Sequence, residues 1–556
     1  MNALTRLILL QAAALLLYSC AAQVPSEQIQ TSSVDFEAPP KSIAQPTLGG
    51  TEQQDDFISE PEAEAPQFTT PQSALPPLPA AGLLDLTLEQ AVVTAMARNR
   101  SLRVEKFEPV IAASFVEQEV AQFDPVLFAE GSYESYRDRS LDDAAARFFS
   151  IDGSRTILRG GVRQSFLTGT DVSLDLSLSS RDDDRSDFSE EARAGLNLTQ
   201  ALLRDRGVAA NIVGIRQAET SELASVYRLR GFTENLVAEV ESTFWDYALA
   251  VRQAEIFEES FALAQKQLAN IQTRIEVGQL AETEKTVGDA ELALREQQLI
   301  NARNARERAR LNLLRLLNPP AADGWDRQIT LSEKTIIPEV NLGSPEEHEA
   351  LAVRLRPDLN EARLQARRGE LETVQTKNGL LPRLDLFMIL GKTGYSQSFS
   401  SSFEDLDGPG YDFTIGLDYE FPLYNREAGA LDRRARASYG QALESIENLR
   451  QLISLDVRNG LLEVERSLQQ IVASASLRAL QEEVARSETI RFQVGTVTAL
   501  DVARVQRDLL ESRINEVEAI VNYRKSLIDL YRLDGTLLLR RGIEGPGAEE
   551  IVLQKN

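Results

Sequence analysis

Tyr411-Asp412-Phe413-Thr414-Ile415-Gly416-Leu417-Asp418-Tyr419-Glu420-Phe421 alternates without a break between apolar or aromatic residues and acidic, hydroxylated or side-chain-free ones. A period of two makes a strand with one greasy face and one wet face. Just upstream, Leu384, Leu386, Met388 and Leu390 form another such apolar face. Far back in the chain, Val172, Leu174, Leu176 and Leu178 alternate with Ser173, Asp175, Ser177 and Ser179. A half-buried sheet in a soluble domain produces this pattern, and so does the wall of a transmembrane β-barrel. The strands alone leave both open.

The sequence after the strands decides between them. Over 428–493, Ile446, Leu449, Ile453, Val457, Leu461, Val464, Leu468 and Ile471 step by three or four. Val226, Leu229, Leu236, Val240, Phe244, Tyr247 and Val251 do the same within 208–275. These are narrow seams of coiled-coil type, in proline-free stretches rich in Ala, Leu, Arg, Glu and Gln. At 1.5 Å per residue each helix is on the order of 100 Å long. No compact globule of this size houses such helices, so they project from the strand region as hairpins. Gly278 and Gly495 are the expected turns, because a helix stops cheaply at a residue that tolerates αL geometry. Return helices are expected from about 282 to 317 and 499 to 533.

The chain also repeats itself. Asn99-Arg100-Ser101-Leu102 with Pro125 answers Arg356-Pro357-Asp358-Leu359 with Pro382, at an offset of 257. Arg274-Ile275-Glu276-Val277-Gly278 answers Arg491-Phe492-Gln493-Val494-Gly495 at an offset of 217, as Leu313-Leu314-Arg315-Leu316 answers Leu530-Tyr531-Arg532-Leu533. Each half reads as a helix of about 25–40 residues ending near Pro125 or Pro382, then strands, then a long helix and a shorter one. The first half carries about 40 extra residues, the difference of the two offsets. That surplus holds a candidate hairpin at Thr168-Gly169-Thr170-Asp171 and acidic residues Asp182, Asp183 and Asp184. It is either external loop or an added strand pair.

Composition removes most chemistry. Asp and Glu number 85 against 59 Lys and Arg, a net charge of −26, which argues against nucleic acid as a partner. One His and one Cys leave little material for a metal cluster or a Cys–His nucleophile, and neither GxxxxGK[ST] nor GxGxxG occurs. No cofactor is implied. His348, in Glu346-Glu347-His348-Glu349 after Ser344-Pro345, reads as a surface residue at a solvated helix start.

Residues 1–19 read as a bacterial export signal: Arg6, then an apolar run from Leu7 to Leu17, too short for a bilayer that needs about 20 residues. The run ends in Leu17-Tyr18-Ser19-Cys20, which resembles the lipoprotein box cleaved before an acylated Cys, with a bulky Tyr18. An ordinary secretory signal is the alternative. Ala21 at the next position implies, by the family rule, the outer rather than the inner membrane. Ten prolines and nine acids against one base fill 21–80, so 20–83 is expected to be a disordered tether. The division is then 84–335 and 336–541 for the two repeats and 542–556 for a tail.

In this order the landmarks resemble the TolC-like outer-membrane efflux family over essentially 84–540. They are the duplicated helix–strand–strand–helix–helix order, the Pro before each strand region, and Val494-Gly495-Thr496 followed by Asp501-Val502. Phe421-Pro422-Leu423, and more loosely Gln200-Ala201-Leu202-Leu203, are similar to the family's strand-to-helix exit, with Ala201 where Pro is common. The resemblance implies a mainly α chain with a membrane β-barrel portion. It forms a homotrimer whose protomers each give four strands to a 12-stranded barrel and their helices to a periplasmic α-barrel. It further implies a passive, non-enzymatic exit duct in the outer membrane, embedded in its lipid. A periplasmic adaptor would dock at Val277, Gly278, Val494, Gly495 and Thr496, served by an inner-membrane transporter of RND or ABC type. The family's periplasmic gate falls on Asp501 and Arg504, with Glu284 at the equivalent of Asp501 in the first half. A lipid-anchored coiled-coil spacer without a pore is the competing reading, and it has no use for amphipathic aromatic strands.

Overall fold

The computed structural model describes residues 84–545, except 143–146, 185–188, 319–321, 333–339 and 341, together with residue 547. The export signal, Cys20 and the tether lie outside the described residues, as does most of the 542–556 tail.

The chain opens with β1 (Leu84–Leu86) and α1 (Leu88–Arg98), the latter closed at its start by a capping box between Thr87 and Gln90. A short helix, Arg100–Glu105, leads into α2 (Phe107–Val120). Four strands follow: β2 (Val126–Asp142), β3 (Arg147–Phe166), β4 (Thr170–Asp183) and β5 (Ser189–Ala201). The first long hairpin is α3 (Val213–Glu276) with α4 (Thr283–Leu317). Then come β6 (Ile329–Leu331), α5 (Pro345–Leu355), α6 (Pro357–Gly379), β7 (Arg383–Ser396) and β8 (Tyr411–Glu420). The second long hairpin, α7 (Arg426–Gln493) with α8 (Ala499–Leu533), is followed by the short helix Leu537–Arg540.

The expected single helix before each strand region is broken, into three pieces in the first half and two in the second. Asn99 is extended and turns its side chain to cap Leu102 N–H at 3.1 Å, restarting the helix. Arg356 is extended because Pro357 follows it, and Pro357 then serves as the first residue of α6.

The strands form one antiparallel sheet in the order β2-β3-β4-β5-β7-β8. Four strands per chain were expected, and the sheet has six. The surplus of the first half is therefore strand, not loop, and β3 and β4 turn at Thr168 and Gly169. Register decides the faces. Leu127, Val162, Leu174, Leu196, Leu390 and Phe413 form one row across all six strands. The next row, Phe128, Gly161, Asp175, Gly195, Gly391 and Asp412, points to the other side. The face carrying Leu127 and Phe413 is thus mostly apolar over the middle of the sheet, and the opposite face mixes Asp175, Asp412 and glycines with Phe128. On β8 the apolar face is bare: Tyr411, Phe413, Ile415, Leu417 and Tyr419 are 54–75% exposed.

Helices α3 and α7 have 64 and 68 residues, hence lengths of about 96–102 Å. Helices α2 and α4 both pack on α3, α6 packs on α3 and α7, and α8 packs on α7. The core is thickest midway, where α1, α5 and the parallel pair β1–β6 gather around Phe244, Trp245, Tyr247, Leu316, Leu359 and Ile453. Tyr247 Oη donates to the Ile329 carbonyl at 2.8 Å, and Arg524 stacks 4.6 Å above the Trp245 ring. Toward the turns the burial narrows to the seam read from the sequence, with Val464 and Ile471 of α7 covered.

His348 departs from expectation. It is 5% exposed, with Nδ1 2.8 Å from Asp534 Oδ2, while Asp534 accepts from Thr536 N–H and Oγ1–H at 2.9 and 2.6 Å. The start of α5 is solvated at Ser344, Glu346 and Glu347, but His348 turns inward onto the turn after α8.

Candidate functional site: the helical tips

Gly278 and Gly495 end the two long helices with φ of +77° and +80°. Each is wrapped by the bonds that close a helix of this kind. Gly278 N–H donates to Ile275 O (2.9 Å) and Gln279 N–H to Arg274 O (2.8 Å); Gly495 N–H donates to Phe492 O (3.1 Å) and Thr496 N–H to Arg491 O (2.9 Å). Thr496 Oγ1 adds a bond to Arg491 O at 3.0 Å. The turns push Val277 and Val494 into solvent, 63% and 70% exposed. Two bare valines on rigid reversals are a small apolar pair presented at the end of the helical hairpins.

The two tips touch. Arg274 of α3 lies 5.1 Å from the Phe492 ring and donates to the Phe492 carbonyl at 3.2 Å. Glu284, near the start of α4, accepts from the Ala499 N–H of α8 at 3.2 Å. One carboxylate from the first hairpin thus caps the return helix of the second, where the helix dipole favours a negative charge. Thr498 and Asp501 make a capping box at the same helix start: Asp501 Oδ2 accepts from Thr498 N–H (3.1 Å) and Oγ1–H (2.7 Å). The Thr498 hydroxyl bond, chiefly, holds the Asp501 carboxyl below the usual carboxylate range, and Arg504 and Arg491 add to this through space. Arg504 is exposed one turn on. Deeper between the hairpins, Glu291 of α4 pairs with Arg295 (2.6 Å) and reaches Arg507 of α8 (3.4 Å).

The structure therefore brings all eight sequence-marked tip and gate residues into one region. Arg274, Phe492 and Thr498 were not singled out beforehand. Arg274 and Arg491 occupy equivalent repeat positions, which was the available signal.

At the other end, the polar face of the sheet is built from charges and small residues. Arg193 reaches across Gly391 to Asp412 at 2.7 Å, Asp175 accepts from Asn197 at 3.0 Å, and Arg159 lies 4.0 Å from Asp175. A Cβ on Gly391 would sit 2.8 Å from the Arg193 guanidinium, so the glycine keeps that pair possible. Among the described residues no cluster of His, Cys, Asp and Glu could hold a metal ion, and no helix is long and apolar enough to cross a membrane.

The profile of the family described as outer membrane efflux protein matches residues 162–319 and 350–536. Outer membrane protein TolC of Vibrio cholerae is 23% identical over 447 residues, 76% of this chain and 94% of that protein. Among solved structures, the CmeC outer membrane channel of Campylobacter jejuni superposes with a TM-score of 0.62 at 15% identity, over 81% of this chain and 86% of that one. A membrane protein of Pseudomonas aeruginosa gives 0.61 at 19% identity, over 81% and 93%.

Proposed function

Because this chain belongs to the outer membrane efflux protein family, we propose that it is the exit duct of a tripartite efflux or type I secretion system. Three copies would join their sheets into a barrel in the outer membrane and their hairpins into a periplasmic tube. Cargo delivered by an inner-membrane transporter, of RND or ABC type, would pass through a periplasmic adaptor and leave by the common lumen. The transporter supplies the energy, and this chain makes and breaks no bonds.

The observation that carries the reading is the union of two features in one chain. A sheet with an apolar row across all six strands is fused to helices of about 100 Å. A soluble spacer needs the second and has no use for the first, since bare Phe413, Ile415 and Leu417 would aggregate in water. An open sheet edge is equally intolerable in lipid, which supports closure between copies.

In this reading the adaptor docks on Val277, Gly278, Val494, Gly495 and Thr496. Asp501, Arg504 and Glu284 ring the narrow end of the lumen close to the tips. Cys20 would be the acylated first residue of the mature chain, which mass spectrometry of membrane-extracted protein tests: an unmodified Cys20 removes the anchor. The duct itself is tested in planar bilayers. Purified protein should insert as trimers that conduct in discrete steps, and no conductance from inserted protein with intact β signal would refute it.

A further inference from the structure

We infer that the sheet's two open edges pair with each other between copies, β8 of one chain on β2 of the next, so that three copies of six strands build an 18-stranded wall rather than one of 12. The inference rests on the three-copy duct proposed above.

The hairpin β3–β4 belongs to the wall. The apolar row through Leu127 and Phe413 crosses it at Val162 and Leu174 without interruption. Its turn is stitched to the corner where β5 hands over to the helices. Gly207 N–H donates to Thr168 O (3.1 Å), Ala201 N–H to Gly169 O (2.9 Å), and Asn211 Nδ2 to Leu167 O (3.0 Å). Gly169, at φ +77°, lies so close to the Asp205 carbonyl that a Cβ would be 2.2 Å from it. A loop lying loosely over the mouth would need none of this.

The register of the sheet fixes the seam. Following partners from Val126 leads through Arg163, Ser173, Asn197 and Ile389 to Thr414. Strand β8 continues six residues further, to Glu420, before the chain returns to helix. Setting the helix-side ends level, with Glu420 beside Val126 of the next copy, puts Thr414 opposite Ser132. Each copy then contributes six residues of stagger, or one per strand. With about 3.3 Å per residue and about 4.8 Å between strands, that is a tilt of about 35°, as barrels require. The shift is even, so apolar stays with apolar.

The same register matches shapes. Ala129, Gly131 and Gly160, rimmed by Leu158, Leu176 and Leu178, leave a groove of about 480 Å³ beside the β2 edge. Level ends bring Leu417 opposite Ala129 and Ile415 opposite Gly131, so two bare side chains of β8 meet the two smallest positions of β2. The occupant of the groove is therefore a second copy of this chain.

A barrel of 18 strands keeps an aqueous channel, so size selection falls to the tip end.

Full-length protein in outer membranes, carrying Ser132→Cys with Thr414→Cys, should oxidise to a covalent ladder that ends at three chains, while each single variant does not. Spin labels at Leu174→Cys and Ser173→Cys should be quenched by oxygen in lipid and by aqueous nickel chelate, respectively. A ladder ending at two chains would mean a two-copy, 12-stranded wall and would overturn both this count and the trimer. A trimer in which both labels meet nickel would put β3–β4 outside the wall, overturning the 18 strands and leaving the duct. A sedimenting trimer without the disulfide would overturn the seam.

Discussion

Gly495→Val isolates what the tip contributes. The position has φ +80°, and a Cβ built there meets no atom within 4 Å. The substitution therefore introduces no clash, and its whole cost is backbone conformation. A non-glycine residue in the left-handed region costs about 1–2 kcal/mol, with Val at the upper end. If the chain escapes by opening the turn, the bonds from Gly495 and Thr496 to Phe492 and Arg491 go with it, at about 1 kcal/mol each. The chain takes whichever of these is cheaper, so the local loss is about 1–2 kcal/mol. It stays local because α7 is held far away, where Ile453, Val457 and Val464 are fully buried. Trimer yield should be unchanged. A tip that must refold to dock pays that energy at binding, so adaptor affinity should fall about 5- to 30-fold. Biolayer interferometry of trimer on immobilised adaptor reads this directly, with export at matched abundance as the cellular readout. Gly495→Asn, which tolerates the left-handed region, should keep most of the affinity. Normal affinity and export by the Val variant would refute the docking assignment.

Glu234 is buried beside Arg230, and loss of solvent raises its carboxyl to about 7 despite that cation. A carboxyl raised from its unfolded 4.5 gives stability that is complete below pH 4.5 and lost as pH rises through 7. Thermal unfolding should therefore improve from pH 8 to pH 5 by an amount worth up to about 3 kcal/mol, and Glu234→Gln should flatten that slope. Arg541 donates two bonds of 2.5 and 2.6 Å to Glu241, which is fully buried. Arg541→Ala should cost about 3–5 kcal/mol in denaturant melts, and adding Glu241→Gln should recover part. Arg504→Ser should raise single-channel conductance and cation preference, and Asp501→Asn should lower that preference while keeping the helix cap. Unchanged values in both would move the gate elsewhere.

What the sequence made legible follows from how local each signal is. Strands β4, β7 and β8 announced themselves because their apolar faces carry Leu, Met, Ile and aromatic residues at strict alternation. Strands β2, β3 and β5 did not: Ala129, Gly131, Gly160, Ala192 and Ala194 stand on the same face with too little side chain to mark it. The glycines that hid those strands are the ones that shape the groove. The tip turns were readable because only glycine sits easily at a positive φ. The contacts that lock the tips together were not, since Arg274 meets Phe492 and Glu284 meets Ala499 across more than two hundred residues. His348 was misjudged for the same reason. Its helix start looks polar, and Asp534, 186 residues on, buries it.

One image tests the central claim most directly. Single-particle microscopy of the full-length protein, extracted from outer membranes, should show a three-fold particle with one lumen running from the helical tips through the barrel. A monomer, or a three-fold bundle whose helices close on a solid core with no lumen through the sheet, would contradict the duct.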